Sequence, residues 1–158
     1  MIKEDFDKIR NSEKFKAIIS RARLVSCFLN DAQIKRLWEF NYFSAETKST
    51  YTFFVDNDEV ILKDTNILLS KNQNPEELFL GNLKLEEKEA VSIANFLLVK
   101  KYKEENFSKM IISLESRDRN ILWNVTVVLR NLNVINLRIN DGNSEVVEDQ
   151  IISPFTKQ

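Results

Sequence analysis

The chain has 158 residues, of which 43% are apolar and 30% charged. A chain of this length forms one domain or at most two very small ones, and this apolar content excludes disorder of the whole chain. Its 23 basic and 24 acidic residues give a net charge of -1, so no global field attracts nucleic acid or an acidic membrane.

The N-terminal quarter predicts two helices. Apolar residues from Lys3 to Arg23 recur at helical spacing, with a break at Asn11-Ser12. The apolar run Leu24 to Leu29 fits either a continuation of that helix or a short strand. Asn30-Asp31 then offers an N-cap for a second short helix, Ala32 to Phe40. One side of that helix would carry Ile34, Leu37 and Trp38.

The next segment, Thr50 to Asp64, predicts a β-hairpin. Aromatic and β-branched residues alternate with others on both sides of Asp56-Asn57-Asp58, which supplies turn chemistry. The mixed segment that follows holds a polar stretch and Gly81, so a boundary between two halves is expected near residues 70–83.

The C-terminal half predicts a helix followed by a meander. Leu85 to Tyr102 has one apolar stripe, with glutamates near its start and lysines near its end, as the helix dipole favours. Short polar connections then separate four predicted strands and force them to be antiparallel neighbours. These strands are Lys109–Glu115, Asn120–Arg130, Val134–Asn140 and Glu145–Glu148.

These elements predict an α+β protein, residues 1–158 forming a single domain. We expect an antiparallel meander sheet of five to seven strands, with the long helix packed across it and the N-terminal helices covering part of the second face. The apolar stripe of the long helix should pack against Trp123, Val125 and Val127.

Residues 84–149 resemble the PepSY domain family. The matching text is Glu89–Ala94 in the helix, Trp123–Val127 in the meander, and Ile139–Val147 around the Asp141-Gly142 turn. The resemblance implies a small noncatalytic module that binds or restrains peptidases or other extracytoplasmic partners.

The element order of the whole chain also resembles the cystatin-like cone folds related to nuclear transport factor 2. The resemblance implies a curved sheet that wraps a helix and leaves a pocket for a small ligand. Because enzymes of that family commonly use Asp and His in the pocket, the lack of histidine favours its binding-protein branch.

Most signatures of chemistry are missing from the chain. There is no histidine, Cys27 is the single cysteine, and no glycine-rich phosphate loop occurs, so we predict no catalytic, cofactor-binding or metal-ligating residues. Cys27 is expected to be a small buried apolar residue. The acidic cluster around Asp56, Asp58 and Asp64 departs from the calcium-loop pattern and is interpreted as a solvated turn.

A basic strip on the meander is a further candidate. Arg117, Arg119, Arg130 and Arg138 near Trp123 could bind single-stranded nucleic acid, but neighbouring acidic residues make a solvated face the simpler interpretation, so nucleic acid is not the expected partner.

The N-terminus and the apolar runs bear on location. Met1 to Arg10 alternates charged and apolar residues, unlike a signal peptide, and no apolar run approaches the roughly 20 residues of a membrane span. We expect a cytoplasmic protein without a membrane span, with an exported mature form as the alternative.

The sequence therefore favours a noncatalytic protein-binding or regulatory module whose partner is another protein or a second copy. The alternatives are a cone-fold small-ligand-binding protein with weak hydrolase or isomerase activity, and a nucleic-acid accessory protein. The expected interaction surface is the aromatic strand that carries Tyr51, Phe53, Phe54 and Val55. The final strand, Glu145 to Glu148, is short and charged, as a protected sheet edge would be.

Overall fold

The computed structural model describes residues 1–18, 20–30, 35–67 and 74–155. The chain divides into two compact units, Met1–Gly81 and Asn82–Gln158, with a short 3-10 turn at Leu80–Asn82. Within each unit a helical segment precedes a four-stranded antiparallel meander. The α+β class and the antiparallel sheet predicted from the sequence are confirmed.

The first unit has two short helices and four strands. The strands follow one another in the order β1-β2-β3-β4, each antiparallel to the next. The elements are α1 (Ile2–Asn11), α2 (Glu13–Ile18), β1 (Ala22–Asn30), β2 (Leu37–Ser44), β3 (Ser49–Asp56) and β4 (Glu59–Ile67).

The predicted helix over Ala32 to Phe40 is wrong, because Leu37–Ser44 is strand β2. Trp38, Phe40 and Tyr42 are buried and alternate with half-buried residues, which is the period-2 pattern of a strand. The run Leu24 to Leu29 is likewise strand rather than helix. The proposed cap residue Asp31 and Ile34 lie outside the described residues. The described residues thus form eight strands, more than the five to seven expected.

Helices α1 and α2 supply aromatic rings to the core of the first unit. Helix α1 contacts β2 and β3, and the ring of Phe6 stacks on that of Phe40 at 6.2 Å. The Phe15 ring meets Tyr42 edge-on at 5.1 Å and Phe53 at 5.9 Å. Such edge contacts add stability beyond the area they bury.

The predicted hairpin of the first unit is confirmed. Its two-residue turn, Asn57-Asp58, has positive φ at both positions, which matches the right-handed twist of the flanking strands.

The second unit contains one helix and four strands in the order β5-β6-β7-β8, each antiparallel to the next. The β5–β6 turn, Asp118-Arg119, again has positive φ at both residues. The elements are α3 (Glu87–Lys100), β5 (Lys109–Arg117), β6 (Asn120–Val128), β7 (Val134–Asn140) and β8 (Val146–Ile152).

Helix α3 begins with a reciprocal cap, in which the backbone N–H of Glu86 donates to Glu89 Oε2 at 2.8 Å. Its buried residues are Ala90, Ala94 and Leu98, and the helix contacts β6. The inner face of β6 is fully buried at Trp123, Val125 and Val127. With 14 residues α3 is shorter than predicted, and the expected long helix across the meander is not confirmed.

Candidate interaction surface

The interaction residues predicted from the sequence lie on β3, which is flanked by β2 and β4. Phe53 is fully buried and Val55 is buried, whereas Tyr51 and Phe54 are half-buried. The Phe53 ring lies 5.8 Å from that of Tyr42 in an edge contact, so Phe53 is a core residue of the first unit. Binding of a partner by Tyr51 and Phe54 stays a prediction.

Strand β8 differs from β3 because it is the last strand of its sheet and pairs only with β7 among the described strands. Its end and the residues just beyond it expose large apolar side chains. The exposed fractions are 52% for Val147, 50% for Ile151, 40% for Ile152 and 78% for Phe155. Within the described part of the second unit, this is an apolar sheet edge open to a partner.

The sequence interpretation of this strand as a short, charged edge is wrong. The sequence pattern predicts that the strand ends at Glu148, but β8 has 7 residues and continues to Ile152. The reason is the register with β7, which places Asp149 opposite the buried Leu137 and Ile151 opposite the buried Ile135. A polar residue in mid-strand therefore does not end the ladder here.

The polar centre of β8 is held by side chains of the same unit. Asp149 Oδ1 accepts hydrogen bonds from the Lys101 ammonium and from the Tyr102 hydroxyl, the latter at 2.6 Å. These two donors, Lys101 first, hold the pKa of Asp149 below its ordinary value. Burial and the bond to Asp149 together raise the pKa of Tyr102 to about 12.

Glu148 is also paired, on the other face of the sheet. The Arg138 guanidinium donates to Glu148 and, through Nε at 3.2 Å, to the side-chain oxygen of Asn124. Both charges of β8 are thus engaged by neighbours, so they protect the edge less than free charges would.

The buried carboxylate of Asp141 is a second feature of this unit, and its hydrogen bonds connect separate segments of the unit. Asp141 is 3% exposed and accepts backbone N–H bonds from Lys84 at 2.8 Å and from Leu85 at 2.9 Å. It also accepts the indole N–H of Trp123 at 3.0 Å. Asp141 therefore joins the segment before α3 to the β6 core and to the β7–β8 turn. From the sequence it was interpreted only as a turn residue.

One cavity lined by described residues of the second unit is an open groove of about 430 Å³. Its walls carry two cations and two carboxylates, so it has no dominant charge. The lining residues are Lys103, Glu104, Glu105, Asn106, Leu129, Arg130 and Asn131. The small-ligand alternative stays a prediction.

The arginines of the proposed basic strip do not form a uniform cationic surface. Arg138 pairs with Glu148 and lies 4.0 Å from Glu115, which also accepts from Arg117 at 3.4 Å. Arg130 lines the groove beside two glutamates. The expectation that nucleic acid is not the partner stays a prediction.

Cys27 is a buried free thiol, and burial raises its pKa, which disfavours the nucleophilic thiolate. Within the described ranges, no group of three or more acidic, histidine or cysteine side chains is placed to hold a metal ion. No helix among the described residues is long and apolar enough to cross a membrane.

No family model matches the chain, and no curated protein matches it. A solved structure with a similar fold is that of a putative lipoprotein from Clostridium difficile 630. The two share 17% sequence identity with a TM-score of 0.63, and the match covers 94% of this chain and 93% of the other. At this identity the likeness shows the fold alone, and the PepSY and nuclear transport factor 2 resemblances stay predictions.

Proposed function

We propose that the protein is a noncatalytic protein-binding module and that β8 is its docking edge. The observation that carries the proposal is the exposure of Val147, Ile151 and Ile152 on a strand that pairs on one side only. In an antiparallel ladder, alternate residues direct their N–H and C=O groups away from the neighbour. An extended segment of a partner would satisfy those groups and cover the apolar side chains.

The edge has few of the features that keep other edge strands solitary: Asp149 lies on the core face and Val147 forms a bulge, but the strand is long and apolar at both ends. Natural edges are commonly short, or carry lysines, prolines or inward-pointing charges. Strand β8 has 7 residues, with no lysine or proline, and its Glu148 and Asp149 are already paired within the unit. The noncatalytic part of the proposal rests on the sequence, which has no histidine and a single cysteine.

The test compares capture by three tagged forms of the full chain from a lysate of the native host. Ile151→Lys places a charge on the exposed edge, and Phe96→Lys places the same charge on α3, where Phe96 is 65% exposed. Wild type and Phe96→Lys should retain the same protein, or further copies of this chain, and Ile151→Lys should lose it. Equal capture by all three forms would overturn the β8 docking edge, and capture of nothing by wild type would overturn the proposed function.

The location of the module is also a proposal. We propose the cytoplasm, as the sequence suggests, while the name of the structural neighbour brings the exported form into consideration. Cell fractionation with an antibody to the native protein distinguishes them.

A further inference from the structure

The order of residue types in β8 is symmetric about its middle residue. Read from Val146, the strand has two apolar residues, the polar run Glu148-Asp149-Gln150, and two more apolar residues, Ile151 and Ile152. Reversing the direction of the strand leaves this order of types unchanged. A two-fold antiparallel pairing about the middle residue places each residue opposite its mirror position, so this order sets apolar residues opposite apolar ones.

We propose that β8 pairs antiparallel with β8 of a second copy, around a two-fold axis at Asp149. This inference rests on the proposed function and names its partner as a second copy of this chain. Glu148 then faces Gln150 of the second copy, and Ile151 and Ile152 face its valines. Apolar residues meet apolar residues at both ends of the pair, where cross-strand pairs contribute most.

The pairing would extend the apolar core of each second unit across the edge. Ile151 lies opposite Ile135 in the β7–β8 register, and Ile135 is fully buried. Ile151 is thus on the core face of the sheet but stays half exposed, because no strand lies beyond it. The valine end of a second β8 would occupy that position and remove the exposed side chain from water.

Charge at the axis is balanced rather than repulsive. Two Asp149 carboxylates come close there, and like charges directly opposite are unfavourable. Each one is already bonded to Lys101 and Tyr102 of its own chain, so the axis carries two carboxylates and two ammonium groups. The net charge of this cluster is zero.

A bulge in β8 limits the segment that can pair regularly with a second copy. The β7–β8 register shifts between Arg138, which pairs with Glu148, and Ile139, which pairs with Val146. Val147 is the extra residue of this bulge. The segment Glu148–Ile152 is regular, so the Asp149 pair at the axis and the two Glu148–Gln150 pairs lie within it, whereas the valines that face Ile151 and Ile152 lie at the bulge.

The size of the contact predicts a weak dimer. The contact runs through one strand of 7 residues, and interfaces that bury less than about 1,200 Å² in total are typically weak. The dimer should therefore dissociate on dilution, and disruption of one side chain should be measurable.

The first experiment is sedimentation of the full chain over a wide concentration range. Wild type and the control Phe96→Lys should change from monomer to dimer together, and Ile151→Lys should raise the dissociation constant by at least about tenfold. Wild type that stays monomeric at the highest concentration, or an Ile151→Lys variant that dimerises as tightly, would overturn the proposal.

The second experiment tests the register by oxidation of introduced thiols. Facing residues of an antiparallel pair have Cα atoms about 4.5 to 5.5 Å apart, within the range of a disulfide. A mixture of Glu148→Cys and Gln150→Cys should form mixed disulfide dimers, and each variant alone should form few. Crosslinking of the separate variants as efficient as that of the mixture would overturn the axis at Asp149.

The two proposals fail in different ways. A wild type that stays monomeric but captures another protein that Ile151→Lys loses would overturn the second copy and leave the docking edge in place. A wild type that neither dimerises nor captures a protein overturns both.

Discussion

The Asp141 carboxylate offers the sharpest test of how the second unit is held together. It accepts the indole N–H of Trp123 and the backbone N–H groups of Lys84 and Leu85. Asp141→Ala removes both carboxylate oxygens and so breaks all three hydrogen bonds at once. The Trp123 side chain is fully buried, so water cannot readily replace the acceptor that its N–H loses, whereas the two amides are only partly buried.

The magnitude follows from this difference in burial. A buried donor left without its acceptor costs about 2 kcal/mol, and each amide that can reach water costs about 1 kcal/mol, so Asp141→Ala should lose about 4 kcal/mol of unfolding free energy. Asp141→Asn keeps one carbonyl oxygen and should lose about half as much. Trp123→Ala removes the ring as well and should cost about 3 to 5 kcal/mol.

The assay is equilibrium unfolding in urea, followed by tryptophan fluorescence for the Asp141 variants and by circular dichroism for Trp123→Ala. Glu105→Ala is the matched control, since it removes an exposed carboxylate of the same unit and should change stability by less than about 0.5 kcal/mol. A loss under about 1 kcal/mol for Asp141→Ala, at an unchanged urea slope, would refute the reasoning.

Four further predictions concern the core, the two units, the pH response and metal. Phe53→Asp should unfold the first unit and Phe54→Asp should leave it folded, because the former is fully buried and the latter half-buried; circular dichroism checks both. If residues 1–158 are one domain, the urea transitions of the wild type followed by tryptophan fluorescence and by circular dichroism should coincide, and separated midpoints would show independent units. The pKa of Asp149 is lowered in the folded protein, so its stabilising contribution is full above the ordinary carboxyl pKa and disappears as pH falls through the lowered value. The stability difference between wild type and Asp149→Asn should therefore shrink in acid, and a difference that grows there would contradict the assignment. EDTA should leave the melting temperature unchanged, and a shift of several degrees restored by one divalent ion would contradict the absence of a metal site.

The sequence predicted the parts of the fold that depend on local pattern. Strict alternation around Trp123 and short polar turns specified the β5–β7 meander, since connections of two residues between β5 and β6 and of five between β6 and β7 leave only antiparallel neighbours. Strand β2 was missed because Leu37 and Trp38 also fit a helical stripe over a short run. Only the pairing with β1 and β3 decides between the two.

The candidate surface depends on longer-range information. The charges of Glu148 and Asp149 suggested a protected edge, but their partners Arg138 and Lys101 come from other elements of the unit. Ile151 is likewise exposed because β8 is the last strand of the sheet. The local sequence pattern does not indicate which strand is last. Phe53 was read as a surface candidate because alternation identifies two faces without saying which one the helices cover.

The hairpin turns carry local conformational strain because residues other than glycine adopt the left-handed backbone that the turns need. Left-handed φ values occur at Asn57, Asp58, Asp118, Arg119 and Leu132, and no described glycine adopts one. A left-handed backbone costs most residues about 1 to 2 kcal/mol, and Asn and Asp less. Glycine would relieve that cost at Arg119 or Leu132, partly offset by the greater freedom it gives the unfolded chain. Glycine substitutions in these turns could therefore raise the stability of the protein without changing either core or the β8 edge.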